Sequence, residues 1–569
     1  MALKDDEKGL RTGMKKKKKN RAGFLAFMTV LALLLLCAMA FLIIRNMPSK
    51  KRMNLTEYYP AAEGSEAVLI LGSEILEERG RIVQGKGYLP MNVVTDRINA
   101  GFYWDQDPSE LLYTAGGQTS SVPVLSEPGG EAWLDGDTLY ISTDHTARFT
   151  DMDVCVLTEP NRIAVQTGFE NIQAVTAQKN TAVRYQGGIK SDILTDVKRG
   201  DVLLFLEDLD DWLKVASWDG CIGYVPSGDV SSPEETTLER SFQPVNEEYR
   251  LLDEPVNLVW NMVTNTDANA GMASLTGAME GVNVLSPTWF ALSDNEGNIS
   301  DLSSASYVET AHKMGCLVWG LVDNFTYDIS TLEVLSHAQS RRRLIDNLMQ
   351  AAESCRMDGI NVDFERLTED NAPHVVQFLK ELMIEAHSKN LTVSVDTPVP
   401  EVYTEHYNRK EQAKAADYVI LMGYDEHYEG SESAGSVASL PWVEQGVVDL
   451  LDEVPAERTV LAVPFYTRLW WTLAGTLHSE AISMQQQSKY ISEYQPQIYW
   501  DTELSQNVAS WENNDIPYKV WMEDAQSLAE KVRLVPEYHL AGIAGWRLGF
   551  ESSDVWQIIQ GALSISTGG

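Results

Sequence analysis

Residues 357–367 read MDGINVDFERL, and the alternation within them decides the fold class. Ile360, Val362 and Phe364 alternate with Asn361, Asp363 and Glu365, a period of two that predicts a short β-strand. One face is wholly apolar, while the other carries two carboxylates and a carboxamide. Burying such a row is costly unless its members are bonded or put to use. In a strand of a parallel barrel, one face packs on the surrounding helices and the other points into the barrel. The apolar triplet suits the helix-facing side. Asn361, Asp363 and Glu365 then point inward, with Glu365 furthest along, at the C-terminal mouth. Branched apolar residues usually fill barrel interiors, so three polar groups there are candidates for function. The alternative is a structural polar layer satisfied by its neighbours.

Outward from this strand, the chain from Pro255 onward alternates apolar strands with helical stretches. Eight strand-like runs follow one another: VNLVWNMV, GVNVLSPTWFAL, GCLVWGLVDN, GINVDFERL, LTVSVDTPV, YVILMGYDE, RTVLAVPFY and GIAGWRLG. Amphipathic stretches such as SRRRLIDNLMQAAESCRM and NAPHVVQFLKELMIEAHSKN intervene. This pattern predicts a (β/α)8 TIM barrel over residues 251–565, with its functional groups at the C-terminal strand ends. The stretch 470–520 is too long for one loop and contains a hairpin-like QIYWDTELSQNVASWENNDIPYKVW. It predicts a small insertion between strand 7 and helix 7 that forms one wall of a cleft.

Ahead of the barrel the texture is β-rich. Residues 45–65 read as a connector, 66–169 and 170–231 as two small all-β domains broken by Gly and Asp turns, and 232–250 as an acidic linker with prolines. The formal charge of −37 hides an asymmetry: residues 1–52 hold 13 Lys/Arg against 3 Asp/Glu, and the remainder holds 32 against 79. So acidic a body argues against nucleic acid as a partner. Residues 1–21 form a basic tail, and 22–44 an uncharged apolar run long enough to cross a bilayer. The basic cluster before the run predicts a single-pass membrane anchor with a cytosolic N-terminus and extracytoplasmic domains. The alternative is a cleaved signal peptide and secretion, since Ala38-Met39-Ala40 resembles a cleavage site. Cys155, Cys221, Cys316 and Cys355 match no zinc pattern and form no disulfide framework, and the nine His show no metal-ligand spacing. Neither a metal nor a cofactor is expected.

Three resemblances add to this reading. DGINVDFE resembles the DxxDxDxE signature of glycoside hydrolase family 18, the chitinases and endo-β-N-acetylglucosaminidases. The match rests on Asp358, Asp363 and Glu365, with Asn361 where many chitinases have Asp. SPTWFAL, LMGYDEH, VPFYTR, VWMED and GIAGWRLG extend the similarity, which looks closest to the spore-cortex and germination branch. Within residues 170–231, Val183-Arg184, Arg199-Gly200-Asp201, Trp212 to Val215 and Gly220 to Val225 resemble a bacterial SH3 domain. GYLPMNVVTDRINAGFYWDQDPSELLYT weakly resembles the small N-terminal domain of copper amine oxidases, without its copper chemistry.

The first resemblance implies a glycosidase working by retaining, substrate-assisted catalysis. Glu365 is its acid, and Asp363 the partner of the substrate's acetamido N–H. Asn361 would sit behind Asp363 and hydrogen-bond it, with Asp358 as a further supporting residue. Tyr424 would donate to the acetamido carbonyl and Asp425 would contact the distorted sugar. Met422 would line the pocket and Trp546 form its floor, with Trp289 and Tyr466 as further substrate-binding candidates. Trp470, Trp471 and Trp521 fit either a ligand or packing. The implied substrate is a polysaccharide containing N-acetylglucosamine, peptidoglycan rather than chitin, with a cell-wall ligand for the SH3-like domain. The alternatives are a chitinase proper and a non-catalytic glycan-binding protein of the same fold.

Overall fold

The computed structural model describes residues 14–60, 62–275 and 279–566. Residues 1–13 of the expected basic tail lie outside the described residues. The chain forms two compact units, residues 1–93 with 127–244 and residues 94–126 with 245–569.

The first unit begins with helix α1, Met14–Asn46. Its stretch Gly23–Asn46 is long and apolar enough to cross a membrane, and none of it is buried. Seven strands between residues 66 and 167 pack over Val68, Ile70 and Ala164, with Tyr88 and Trp133 in a second cluster. Residues 172–236 form a seven-stranded antiparallel sheet around Val175, Val183, Leu203, Leu213, Val215 and Val225.

The second unit holds the barrel. Its strands are β1 (Val256–Asn261), β2 (Val284–Leu292), β3 (Leu317–Asp323), β4 (Gly359–Asp363), β5 (Thr392–Pro398), β6 (Tyr418–Met422), β7 (Thr459–Pro464) and β8 (Gly542–Trp546). Each pairs in parallel with the next, and β8 pairs with β1, which closes the ring. Alternation sorts the strand residues into two cores. Leu258, Trp260, Trp319, Leu321, Ile420, Val460 and Ala544 fill the interior. Val259, Val318, Ile360, Val362, Val393, Leu421 and Val463 face the helices. Helix α2, Ala338–Cys355, buries Leu344, Ile345, Leu348, Met349 and Ala352, a three-and-four spacing that lines one side. It ends at Arg356, whose backbone is left-handed at φ +59°. Helix α3, Ala372–Ser388, stacks Phe378 on Phe364 with centroids 5.6 Å apart, pinning the outer face of β4.

Two features differ from expectation. First, residues 94–126 group with the barrel rather than with the rest of 66–169. Their strands Phe102–Gln106, Ser109–Ala115 and Gln118–Leu125 form a meander against α2 and α3. The cause is a buried polar joint. Arg341 of α2, 1% exposed, donates to Asp105 Oδ2 at 2.7 Å and to both Glu381 carboxylate oxygens at 2.9 Å. Tyr103 Oη bonds His374 Nδ1 at 2.6 Å. Second, the insertion after β7 is larger than a hairpin. It is a five-stranded antiparallel sheet over residues 466–521 with helix α4, Met484–Tyr494, set before the helix Ala525–Val532.

Candidate active site at the barrel mouth

The inner face of β4 carries Gly359, Asn361 and Asp363 in rising order, and Glu365 follows just past the strand end. Gly359 leaves room for Trp319: a Cβ there would lie 2.6 Å from the indole. Asn361 is fully buried and all four of its side-chain bonding positions are used. Its Oδ1 accepts from Trp260 Nε1 at 2.9 Å and from Ser286 Oγ at 3.0 Å. Its Nδ2 donates to Ser394 Oγ at 3.1 Å and to Asp396 Oδ1 at 2.7 Å. The carboxamide therefore does not hold Asp363, as the sequence led us to expect. It ties β4 to β1, β2 and β5.

One layer higher lies a row of carboxyls. Asp323 of β3 pairs in register with Asp363. Val362 pairs with Val395, so Asp363 and Asp396 are the next neighbours along β4 and β5. Asp363 and Asp396 are 6% and 3% exposed, and Asp363 Oδ1 is buried with no hydrogen-bond partner. Burial, then the charges of Asp396, Glu365 and Asp323, push the Asp363 carboxyl well above its ordinary range. Burial does the same to Asp396, against the pull of the Asn361 bond, and raises Asp323. Burial and then the Asp425 charge also raise Glu365. Several buried carboxyls this close cannot all ionise, so the row retains protons where isolated carboxylates would have lost them.

Asn324, immediately after β3, fixes the backbone of Glu365. Its Nδ2 donates to the Glu365 carbonyl at 2.9 Å, and its Oδ1 accepts from the Glu365 N–H at 3.0 Å. Across the mouth, Met422 and Tyr424 continue the inner face of β6, and Asp425 follows with a left-handed φ of +66°. Asp425 keeps a solvent-facing edge, yet the surrounding protein raises its carboxyl, against the bond that Tyr466 Oη donates to its Oδ1 at 2.5 Å. Tyr424 and Tyr466 meet edge-on, centroids 6.2 Å apart. Trp546, at the end of β8, is half-buried and lies tilted against Trp260 at 5.8 Å. Phe325, Tyr327, Tyr403 and Tyr428, on the loops after β3, β5 and β6, are exposed aromatic side chains.

Eight of the ten residues singled out from the sequence thus surround one mouth: Glu365, Asp363, Asn361, Tyr424, Asp425, Met422, Trp546 and Tyr466. Two do not. Asp358 precedes β4 at the opposite, N-terminal end of the barrel. There its Oδ2 accepts from the Val318 N–H and bonds His312 Nε2, both at 2.8 Å. Asp417 repeats this clamp before β6, with the Val393 N–H and His387. Trp289 is 1% exposed in the shell between strands and helices, packed on Tyr307 and donating to Asn269 Oδ1 at 2.8 Å. Alternation along β2 sets it there, with Val284 and Ser286 inward and Leu285 and Trp289 outward. Trp470 and Trp521 pack with Val508 on one face of the insertion, and Trp471 joins a cross-strand stack with Tyr518 and His478 on the other. Sequence reasoning missed Asp323, Asn324, Asp396 and Trp260. Among the described residues no group of three or more His, Cys, Asp or Glu is set to hold a metal ion.

Residues 324–551 match the family model Glycosyl hydrolases family 18. The glycosylase YvbX of Bacillus subtilis is 23% identical over 308 residues, which cover 52% of this chain and 89% of that protein. The cortical fragment-lytic enzyme of Bacillus anthracis is 24% identical over 246 residues, covering 42% of this chain but only 56% of the relative. Among solved structures, a chitinase from Chromobacterium violaceum is 22% identical with a TM-score of 0.50, covering 55% of this chain and 99% of that one. The Bacillus cereus spore cortex-lytic enzyme SleL is 19% identical with a TM-score of 0.50, covering 58% and 78%. The two structures share the fold. Over residues 324–551 the barrel is similar to the glycosyl hydrolases of family 18, and the curated relatives of the chain include glycosylases and cortical fragment-lytic enzymes.

Proposed function

We propose that the chain is a membrane-anchored, extracytoplasmic glycosidase that cleaves β-1,4 bonds next to N-acetylglucosamine, in peptidoglycan rather than chitin, with retention of configuration. The observation that carries the chemistry is Glu365 fixed at the mouth by Asn324, with Asp363 one pleat behind it. Burial and a neighbouring negative charge raise the Glu365 carboxyl, which suits an acid that must protonate a glycosidic oxygen near neutral pH. Asp363, on the same inner face, faces the substrate's acetamido N–H as that group's carbonyl oxygen attacks the anomeric carbon. Tyr424 donates to the acetamido carbonyl oxygen, while Asp425, held by Tyr466, orients the sugar. Trp546 offers a ring face to the sugar, and the exposed rim aromatics extend that surface.

The preference for peptidoglycan rests on architecture. Helix α1 reaches about 36 Å over its apolar stretch at roughly 1.5 Å per residue, enough to cross a bilayer and tether the chain to it. The sheet of residues 172–236 presents a recess lined by Tyr185, Leu209, Trp212 and Tyr224, which suits a wall peptide.

The test is to incubate the full chain in detergent micelles, and its Glu365→Gln variant, with purified peptidoglycan and with chitin oligomers. New reducing ends from the parent alone support the reading. Binding without cleavage by both proteins would sink it and leave a glycan-binding module.

A further inference from the structure

Asn361 stands where a second carboxyl would adjoin Asp363 along β4, and a carboxamide cannot hold a proton for it. The strand register supplies a replacement from the side. Asp396 of β5 faces inward beside Asp363, both are buried, and no donor among the described residues bonds Asp363 Oδ1. Asn361, which does not bond Asp363, donates to Asp396 Oδ1 at 2.7 Å and so fixes that carboxyl's orientation.

We propose that Asp396 is a positioning residue that shares a single proton with Asp363, doing from the neighbouring strand what Asn361 cannot do from its own. The groups facing the pair are Asp323 on β3, Glu365 past β4, Tyr424 past β6 and the Asn361 amide. Arg409 lies on the outer side of β5, bonding Thr397 Oγ1 and the Pro398 carbonyl. No cation is bonded to either carboxyl among the described residues, so a proton is the available way to relieve two adjacent buried charges. Asn361 makes Asp396 the better anion of the two, which leaves the proton on Asp363 at rest. When positive charge develops on the acetamido group, the Asp363 O–H bond breaks and an O–H bond forms on Asp396. The pair keeps one negative charge throughout, and Asp363 becomes the anion that faces the substrate. This second step rests on the proposed glycosidase chemistry; the shared proton does not.

The two are tested separately with the full chain in detergent micelles. In a Glu365→Gln background, infrared spectra report the carbonyl stretch of protonated carboxyls at neutral pH. Asp363→Asn and Asp396→Asn should each remove one such band, and the double variant should remove no more. Loss of two bands in the double variant, or none in Asp396→Asn, overturns the shared proton. In the Glu365 parent, reducing-end release from purified peptidoglycan should fall about tenfold or more with Asp396→Asn. The alkaline limb of its pH profile should also move to higher pH, because the pair's one negative charge then rests on Asp363, beside Glu365. A fall that is uniform with pH would mean a merely structural role and overturn the proposal. Asn361→Asp/Asp396→Asn, which moves the carboxyl back onto β4, should restore both the band and the limb, and carries the test if Asp396→Asn fails to fold. An inactive parent whose bands behave as expected would defeat the glycosidase reading and leave the pair standing.

Discussion

Replacing Asn324 by Ala removes the one side chain that grips the Glu365 backbone from both sides. Its two bonds, at 2.9 and 3.0 Å, fix the carbonyl and the N–H of the residue proposed as the acid. A backbone-directed hydrogen bond contributes about 1 kcal/mol net, so the clamp is worth about 2 kcal/mol of positioning. At about 1.4 kcal/mol per tenfold in rate, Asn324→Ala should lower kcat roughly 30-fold if the whole clamp serves the transition state. Water entering the vacated space would re-form part of the bonding and bring the loss nearer fivefold, a floor set by one surviving bond of about 1 kcal/mol. KM should scarcely move, since no contact with the sugar is lost. Asn324→Asp is the sharper variant. It keeps the acceptor for the Glu365 N–H, loses the donor to the carbonyl, and adds a carboxylate beside Glu365. The added charge raises the Glu365 carboxyl further, so the alkaline limb of the pH profile moves to higher pH. Reducing-end release from peptidoglycan, measured beside thermal melts of the same preparations, checks both. Asn324→Ala retaining parental kcat within about twofold, a difference of only about 0.4 kcal/mol, would refute the clamp argument.

Two further outcomes concern stability. Arg341→Met strips the buried guanidinium from Asp105 and Glu381 and should destabilise the barrel unit by about 3–5 kcal/mol. Calorimetry should show it, with hydrogen exchange rising in residues 102–125. Adding Asp105→Leu should recover much of the loss, and an unchanged transition in the single variant would mean the joint is not holding the meander. At acid pH the buried Glu411 matters. Burial pushes its carboxyl up, but Lys380 and Lys414 outweigh that and hold it below the ordinary 4.5. A depressed folded value means its contribution is full above the unfolded value and fades as pH falls through the folded one. Lys380→Met should therefore flatten the acid side of the stability curve, read by denaturant melts between neutral pH and pH 3; a parallel downward shift at all pH values would count against it.

The direction of β4 was legible because alternation needs only one strand: Ile360, Val362 and Phe364 declare an outer face, and Asn361, Asp363 and Glu365 follow. Asp323 and Asp396 were not legible, because each is the single carboxyl of its strand. They acquire meaning only when strand register sets them beside Asp363. Asp358 misled for a related reason. Seven residues at roughly 3.3 Å each span about 23 Å, so a motif that is compact in sequence runs the full height of a barrel. Trp289 was legible by the same alternation: the period of two that turns Val284 and Ser286 inward sets it outward with Leu285. Residues 94–126 read as β-strands like their neighbours, and strand propensity does not say which core a strand serves. The Arg341–Asp105 pair settles that, and its members are 236 residues apart.

That separation also has a meaning in time. A chain made from its N-terminus at about 5–20 residues per second produces Asp105 roughly 10 to 50 seconds before Arg341. For that interval the meander exists without the helices that will bury it, and its carboxylate must stay in water. Docking of the meander is thus a reunion of segments 236 residues apart, and it becomes possible as soon as Arg341 and its helix are made, well before β8 exists to close the ring.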